Sequence, residues 1–544
     1  MLRKYPTSRF VIGTAFLAVL AGALRAQVDT AWVRRYSGPG RQDDVAWSLA
    51  LDGSGNVVVT GQSIGAAGDY DYCTVKYDSD GDICWVRRYK GPGGEDDRAR
   101  VVRVDAAGNA YVTGRSVGEG STHDYATVKY SPDGDELWVA RYKGPVWGHD
   151  EAYSLAIDGS GCVYVTGWSD GAGSYEDFVT IKYSPDGAQA WVARYNGPPN
   201  LSDNALAVAV DRASNVYVTG WSYNPSTEKD LVIIKYDSNG ETLWVRKYNG
   251  PDNMGDRGFR VATDSEGNVY VAGSSYDRNF YEDYVTMKYA SDGQVLWVRR
   301  YDGPMGTLDR VEDMVVDRLG NVHVTGISSG PVGGYDYLTI TYSTTGESLW
   351  AARYDGPAHT YDYPRGVVVD REGNTYVGGE SVADSTNQMS RDCTTIKYGP
   401  IGNEVWIARY NGPANDFDGV NAIAVDEDAN VYVTGVSTGA GTAIDYMTIK
   451  YVQRQGIAEE SKRTSEGLPV IVLTNPSRGR ILVRCVAAPA ADWSLKVYSA
   501  QGALVRSSQG RETTRTLDEL PAGTYLLQLQ TTGRKTTRSV VLAD

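Results

Sequence analysis

Trp32, Trp85, Trp138, Trp191, Trp244, Trp297 and Trp350 are spaced by 53 residues, and Trp406 follows after 56. So regular a period means one supersecondary unit stacked many times, because each unit leaves an apolar face that only its neighbour can cover. In one unit, residues 138–142 (WVARY) lead to Gly144-Pro145, then 153–158, then 163–167 (VYVTG), then 177–183 (DFVTIKY). These segments are short, rich in Val, Ile, Thr, Tyr and Trp, and bounded by Gly, Pro, Asn or Asp. That predicts four strands per unit, as in a propeller blade. The 62 Gly, 39 Tyr and 13 Trp against 6 Phe describe many turns and amphipathic aromatic strands, and exclude long amphipathic helices. Stacking also explains how 544 residues, too many for one ordinary core, are organised.

Tight-turn residues set the phase of the blade. Ser131-Pro132-Asp133-Gly134 and Asp264-Ser265-Glu266-Gly267-Asn268 supply the side-chain acceptors and positive φ of short hairpins. If innermost strand A ends at Asp52, Asp105 or Asp158, then B is VYVTG, C is DYxTIKY and D is the Trp strand. The A–B and C–D turns then share one face, and the long B–C and D–A loops share the other. The last unit has A (420–426), B (431–435) and C (445–451) but no Trp strand, whereas 31–36 is a Trp strand without a blade. The expectation is an all-β, eight-bladed propeller over 27–451, closed by its N-terminal strand so that no sheet edge is left open.

Comparison among the repeats separates scaffold from site. A Tyr preceded by Arg, or once by Lys247, follows each Trp by four residues. Asp recurs five residues after each Pro (Asp44, Asp97, Asp150, Asp203, Asp256, Asp309, Asp362, Asp418) and at the start of each strand C (Asp71, Asp124, Asp177, Asp230, Asp283, Asp336, Asp392, Asp445). A group needed eight times belongs to the blade, so Asp97, Asp150 and Asp203 are read as holding loop amides or pairing with Arg and Lys. The alternative is a carboxylate ring that holds cations. Trp85, Trp138, Trp191, Trp244, Trp297, Trp350 and Trp406 are read as packing between blades.

The unit GNVYVTG…DYxTIKYxxxGxxLWxxRYxGP…D resembles the SBBP-type bacterial β-propeller repeat across residues 32–451. That family is usually described as seven-bladed; this chain has eight units. The resemblance implies an extracytoplasmic propeller used for binding or display, with no general catalytic residues to transfer.

The ends of the chain concern export. Arg3, Lys4 and Arg9, an apolar stretch over 10–24 and small residues for cleavage after Ala23 or Ala26 predict a signal peptide over 1–26; a retained anchor is the alternative. The stretch is short of the ~20 residues of a membrane helix, and no other run approaches that length, so no membrane span is expected once the signal is removed. Residues 452–466 read as a polar linker. Residues 467–544 switch to 10 Lys+Arg against 5 Asp+Glu, with strands expected near 470–473, 481–486, 494–498, 524–529 and 538–542, hence a small β-sandwich. Asn475-Pro476-Ser477-Arg478-Gly479, residues 497–502 and 520–525, and the basic strand from Arg534 resemble the type A C-terminal sorting domain of the type IX secretion system, although Leu473-Thr474 stands where that family often has Tyr-Pro. That resemblance implies secretion machinery as a partner and a secreted or cell-surface location. A carbohydrate-binding or immunoglobulin-like accessory domain is the alternative.

A net charge of -15 argues against nucleic acid as a partner. Cys73, Cys84, Cys162, Cys393 and Cys485 lack metal-site spacing, though Cys73 and Cys84 flank one hairpin and could bridge; Asp78, Asp80 and Asp82 imitate part of a calcium loop but read as a surface turn. No metal or cofactor is expected. Residues 130–138 resemble the tryptophan-docking repeat of quinoprotein dehydrogenases, which are also eight-bladed, but those enzymes use a vicinal Cys pair that this chain lacks; the same turn resembles the sialidase Asp box with the Gly shifted. The expectation is a monomeric, non-enzymatic binding protein for a glycan or protein ligand. Its site is expected on the loop face at Trp147, Trp168, Tyr175, Trp221, Tyr223, Tyr276, Phe280 and Tyr281. A hydrolase, lyase or quinoprotein-like enzyme is the alternative, and Glu312, Asp313, His149 and His359 are its symmetry-breaking candidates.

Overall fold

A computed structural model describes residues 27–454, apart from 121, 385, 387–389 and 442, and seven strands between 470 and 542. The signal-peptide and linker readings therefore fall outside the described residues, save for 452–454. Eight antiparallel four-stranded sheets make an eight-bladed propeller, each sheet in the order A-B-C-D. In blade 1, A is Asp44–Leu51, B is Val57–Ile64, C is Tyr70–Tyr77 and D is Ile83–Tyr89. Strand B is buried along its whole length because neighbouring blades cover both faces, which is why it reads as an unbroken apolar run rather than an alternating one.

The ring closes through its N-terminus. Gln27–Tyr36 pairs antiparallel with Ile444–Arg454 as strand D of blade 8. The ladder is longer than the predicted 31–36, and strand C runs past Tyr451 to Arg454. Two side chains account for the extension. Val28 packs on the blade 8 core, and Gln453 accepts from Lys397 while donating to Tyr376 and Ala429. Gln453 thus replaces the C–D turn that blade 8 does not have.

One latch repeats at successive blade junctions. Trp85 Nε1 and Lys76 Nζ both donate to the Pro132 carbonyl on the next blade's C–D turn, at 3.0 and 3.1 Å. Trp138 and Lys129 do the same at Pro185, Trp191 and Lys182 at Ser238, and Trp244 and Lys235 at Ser291. Trp32 and Lys450 meet at Ser79, which carries the latch across the closure. At Trp32, Trp85, Trp138 and Trp191 the indole lies on the turn glycine: a Cβ on Gly134, which has φ +87°, would sit 2.8 Å from the Trp85 ring. Only glycine satisfies both the left-handed turn and this approach.

The recurrent aspartates serve the blade ends. In all eight repeats the Asp after the Pro accepts the backbone N–H of the preceding Gly; Asp97 takes Gly91 N at 2.6 Å, Asp150 takes Gly144 N at 2.7 Å and Asp203 takes Gly197 N at 2.7 Å. The strand C Asp pairs with the strand D arginine, as in Arg88–Asp71 at 2.8 Å and, across the closure, Arg35–Asp445 at 2.8 Å. Two blades depart from this pattern: in blade 4 Lys247 donates to the Ser222 hydroxyl, and in blade 7 Arg409 donates to the Tyr354 hydroxyl. Burial, and then Asp418, push the Asp392 carboxyl up to about 6; burial does the same to Asp256. Raised carboxyls favour the folded state when protonated, so their contribution is complete below the unfolded value near 3.8 and is lost as pH rises through about 6. The thermal midpoint should therefore fall between pH 5 and about 7.5, and Asp392→Asn should flatten that slope. An unchanged slope in the variant would contradict the assignment.

Cys73 and Cys84 are not bridged. The ladder sets buried Cys73 opposite Arg88, while Cys84 is exposed beyond Trp85 at the hairpin end. The Asp78 carboxylate accepts from Asp80 N and Asp82 N, so that triplet caps its own turn. Farther along, a three-stranded and a four-stranded antiparallel sheet form the second, sandwich-class part. Two of its strands, Leu504–Gly510 and Thr514–Leu517, were not expected, because LVRSSQG and TRTL carry too few apolar residues to signal a strand.

Candidate binding site at the tunnel mouth

Each strand A breaks register at one residue. The ladder skips Trp47, Arg100, Tyr153, Leu206, Phe259, Glu312, Arg365 and Asn421, one per blade, three residues after the recurrent Asp. A β-bulge leaves its extra residue unpaired and re-aims the side chain. Seven of these eight, all but Phe259, line a central cavity of about 710 Å³. No residue type is shared by more than two blades at the bulge, whereas the Asp three residues before it is the same in all eight; the positions two before and one after the bulge vary too. The bulge thus lies in the stretch of strand A where a repetitive ring acquires individual residues.

Two clusters of arginine, carboxylate and aromatic rings dominate its wall. Arg100 donates to Glu151 at 2.8 Å and stacks on Trp47 and Tyr153, 5.6 and 5.7 Å from their ring centres. Arg115 holds the other Glu151 oxygen at 3.1 Å. At blade 7, buried Glu380 is gripped by Arg365 at 2.9 Å and flanked by Arg391 at 3.7 Å, and Arg391 lies 4.7 Å over Tyr363 and 5.9 Å from Phe417. Burial raises the Glu380 carboxyl, and the two arginines oppose that rise. Deeper in the tunnel, Arg260 pairs with Asp313 at 2.7 Å.

The expected loop-face aromatics divide into two sets. Trp147, Tyr175, Phe280 and Tyr281 are exposed, at 69%, 63%, 64% and 41%. Trp168, Trp221, Tyr223 and Tyr276 are half-buried instead, because they sit at the ends of strands B rather than on loop tips. Lys229 covers the Trp221 face at 3.9 Å, and the Tyr276 hydroxyl donates to Glu282 at 2.5 Å. Seven belong to blades 3, 4 and 5 and Trp147 to the loop leading into blade 3, so they form one sector and not a ring. Trp168 pairs in the ladder with Glu151, the carboxylate that cavity-lining Arg100 holds.

Of the symmetry-breaking candidates, Glu312 and Asp313 both line the cavity, each clamped by an arginine, Arg310 and Arg260. The histidines lie elsewhere. His149 stacks on His123 with 3.0 Å between Nδ1 atoms, and His359 contacts Asp355 at 2.7 Å. Trp47, Arg100, Tyr153 and Arg365 carry no signal in what recurs among the repeats, since their position is one that varies.

Residues 473–543 match the secretion system C-terminal sorting domain family, and residues 252–281 and 352–384 match the β-propeller repeat family. An uncharacterized WD repeat-containing protein of Acanthamoeba polyphaga mimivirus is 23% identical over 72% of this chain, which spans about a third (33%) of that protein's length. Among solved structures, a protein of unknown function from Dyadobacter fermentans covers 78% of this chain and 99% of its own at 10% identity and a TM-score of 0.39. The α-L-arabinofuranosidase Arb93A of Fusarium graminearum covers 56% and 92% at 11% identity and 0.33. The chain carries SBBP-type repeats and a type IX sorting domain. It is an exported propeller, addressed by that domain to the cell surface or the extracellular space. No helix among the described residues is long and apolar enough to cross a membrane.

Proposed function

We propose that this exported propeller is a binding protein whose ligand, a glycan or a protein segment, is taken at the loop-face mouth of the tunnel. The observation that carries this reading is the ring of bulged residues. Seven of the eight blades turn one re-aimed side chain onto the same cavity, and those seven positions hold six residue types. The wall joins flat aromatic faces to paired arginines and carboxylates, which suits the apolar faces and hydroxyls of sugars and the side chains of peptides. The aromatic sector of blades 3 to 5 extends the mouth outward through Trp168 and Trp221. A Trp147→Ala, Trp168→Ala and Trp221→Ala triple variant should lose about tenfold or more in affinity for glycan-array or protein ligands that the parent retains. Unchanged binding of the same ligands would remove that sector from the site.

An enzymatic reading draws on Glu312 and Asp313 sharing one cavity. Its mark would be a Glu312→Gln variant that binds a glycan as the parent does but no longer turns it over.

A further inference from the structure

The tunnel runs through an acidic propeller, yet its wall has the opposite sign. Residues 27–466 carry a net -24, which is the chain's -15 less +4 in residues 1–26 and +5 in residues 467–544. At the wall, the charged residues that line the cavity and those ion-paired to them form a closed set. Glu151 is held by Arg100 and Arg115, Glu380 by Arg365 with Arg391 beside it, Glu312 by Arg310, and Asp313 by Arg260. Arg103 completes the set. Seven guanidiniums therefore stand against four carboxylates, an excess of three positive charges.

The excess is least compensated at Arg103. This residue lies three positions past the bulge on strand A of blade 2, where the other blades carry five Ala and two Val. It is exposed on the cavity wall; its Nη1 donates to the adjacent Val102 carbonyl at 2.9 Å, and no carboxylate among the described residues pairs with it. Asp313 on the same wall is already committed, with Oδ1 accepting from Arg260 at 2.7 Å and Oδ2 from Val367 N at 3.0 Å. A scaffold arginine in this ring has its acid built into the repeat, as Arg88 has Asp71. Arg103 breaks the repeat and has none, so its forked N–H donors remain free for an oxyanion.

Resting on the tunnel mouth as the binding site, we propose that the ligand is an acidic glycan, whose carboxylate or sulfate seats on Arg103 while its sugar rings meet the aromatic faces of the mouth. The flat faces of Trp47 and Tyr153 on the wall, and of Trp147, Trp168 and Trp221 beyond it, suit pyranose rings, which favours a sugar acid over an acidic peptide. A cavity of about 710 Å³ is of the size that takes small ligands. The acidic outer surface repels such a chain, whereas the walled cavity focuses attraction on it, so charge selects the point of entry.

Calorimetric titration of the full chain with four probes tests this: an oligogalacturonate, the same oligosaccharide with its carboxyls reduced to alcohols, a heparin oligosaccharide and an oligo-glutamate peptide. One or both acidic oligosaccharides should bind about tenfold or more tighter than the reduced form, and the affinity should fall about tenfold between roughly 0.05 and 0.5 M NaCl. Arg103→Ala, which installs the residue of five other blades, should weaken that binding about tenfold or more, and Arg103→Lys by less, with both thermal midpoints within a few degrees of the parent's. Four results would each overturn the inference: equal binding of acidic and reduced forms, tighter binding of oligo-glutamate, binding of neither acidic oligosaccharide, or undiminished binding by folded Arg103→Ala. Wherever a probe binds in those cases, a Trp47→Ala, Tyr153→Ala variant separates the two readings. Lost binding there removes the acidic glycan and keeps the mouth, and retained binding removes both.

Discussion

A Trp32→Ala variant is expected to lose about 3–5 kcal/mol of stability, although Trp32 lies near the start of the described chain, where truncation is usually tolerated. The residue is buried between Tyr77 and Tyr432, donates to Ser79 on blade 1 and lies on Gly81. It is the one latch that must form between the two ends of the ring, 47 residues before its acceptor but across the seam with blade 8. Trp85→Ala should cost a similar amount, because the same contacts recur at Pro132 and Gly134. The two differ in consequence. Loss at Trp32 weakens the docking of Gln27–Tyr36 and frees the edge of Ile444–Arg454, so this variant should also aggregate on mild heating. Denaturant titration with light scattering reads both effects. A Trp32→Ala protein as stable and as soluble as the parent would contradict closure by this strand.

Removal of residues 467–544 should abolish release while leaving the propeller folded. The sorting match covers 473–543, and the charge of this part, +5, opposes the net -24 of residues 27–466, which is the chain's -15 less +5 here and +4 in residues 1–26. A separable basic end on a polar connector can be engaged by a secretion machine without unfolding its cargo. In the native host the truncated chain should accumulate in the periplasm, and the intact chain should reach the surface or the medium. Normal display of the truncated protein would reassign this part as a binding module.

Much of the fold was legible in the sequence because stacking makes it redundant. The Trp period sets the blade, the turn residues set its phase, and an orphan Trp strand facing a blade without one implies closure. Leu504–Gly510 and Thr514–Leu517 escaped because edge-like polar strands carry no alternation. The site was legible only in part, and for a physical reason. A β-bulge changes which way one residue points without changing the apolar pattern around it, so Arg100 and Tyr153 read as ordinary strand residues until the ladder is seen to skip them. Trp168 and Trp221 were found as aromatics but placed on loops, because the residue after VTG reads as a turn, whereas the strand continues through it.

The central claim is that the variable bulge ring forms the binding surface. It is tested most directly by comparing the parent with a Trp47→Ala, Tyr153→Ala double variant on one glycan and protein array. Both side chains line the cavity and sandwich Arg100 without entering a blade latch. Ligands bound by the parent should weaken by about 30-fold or more, as expected for aromatic anchors at the centre of an interface, while the thermal midpoint stays within a few degrees. Equal binding by a folded double variant would contradict the claim.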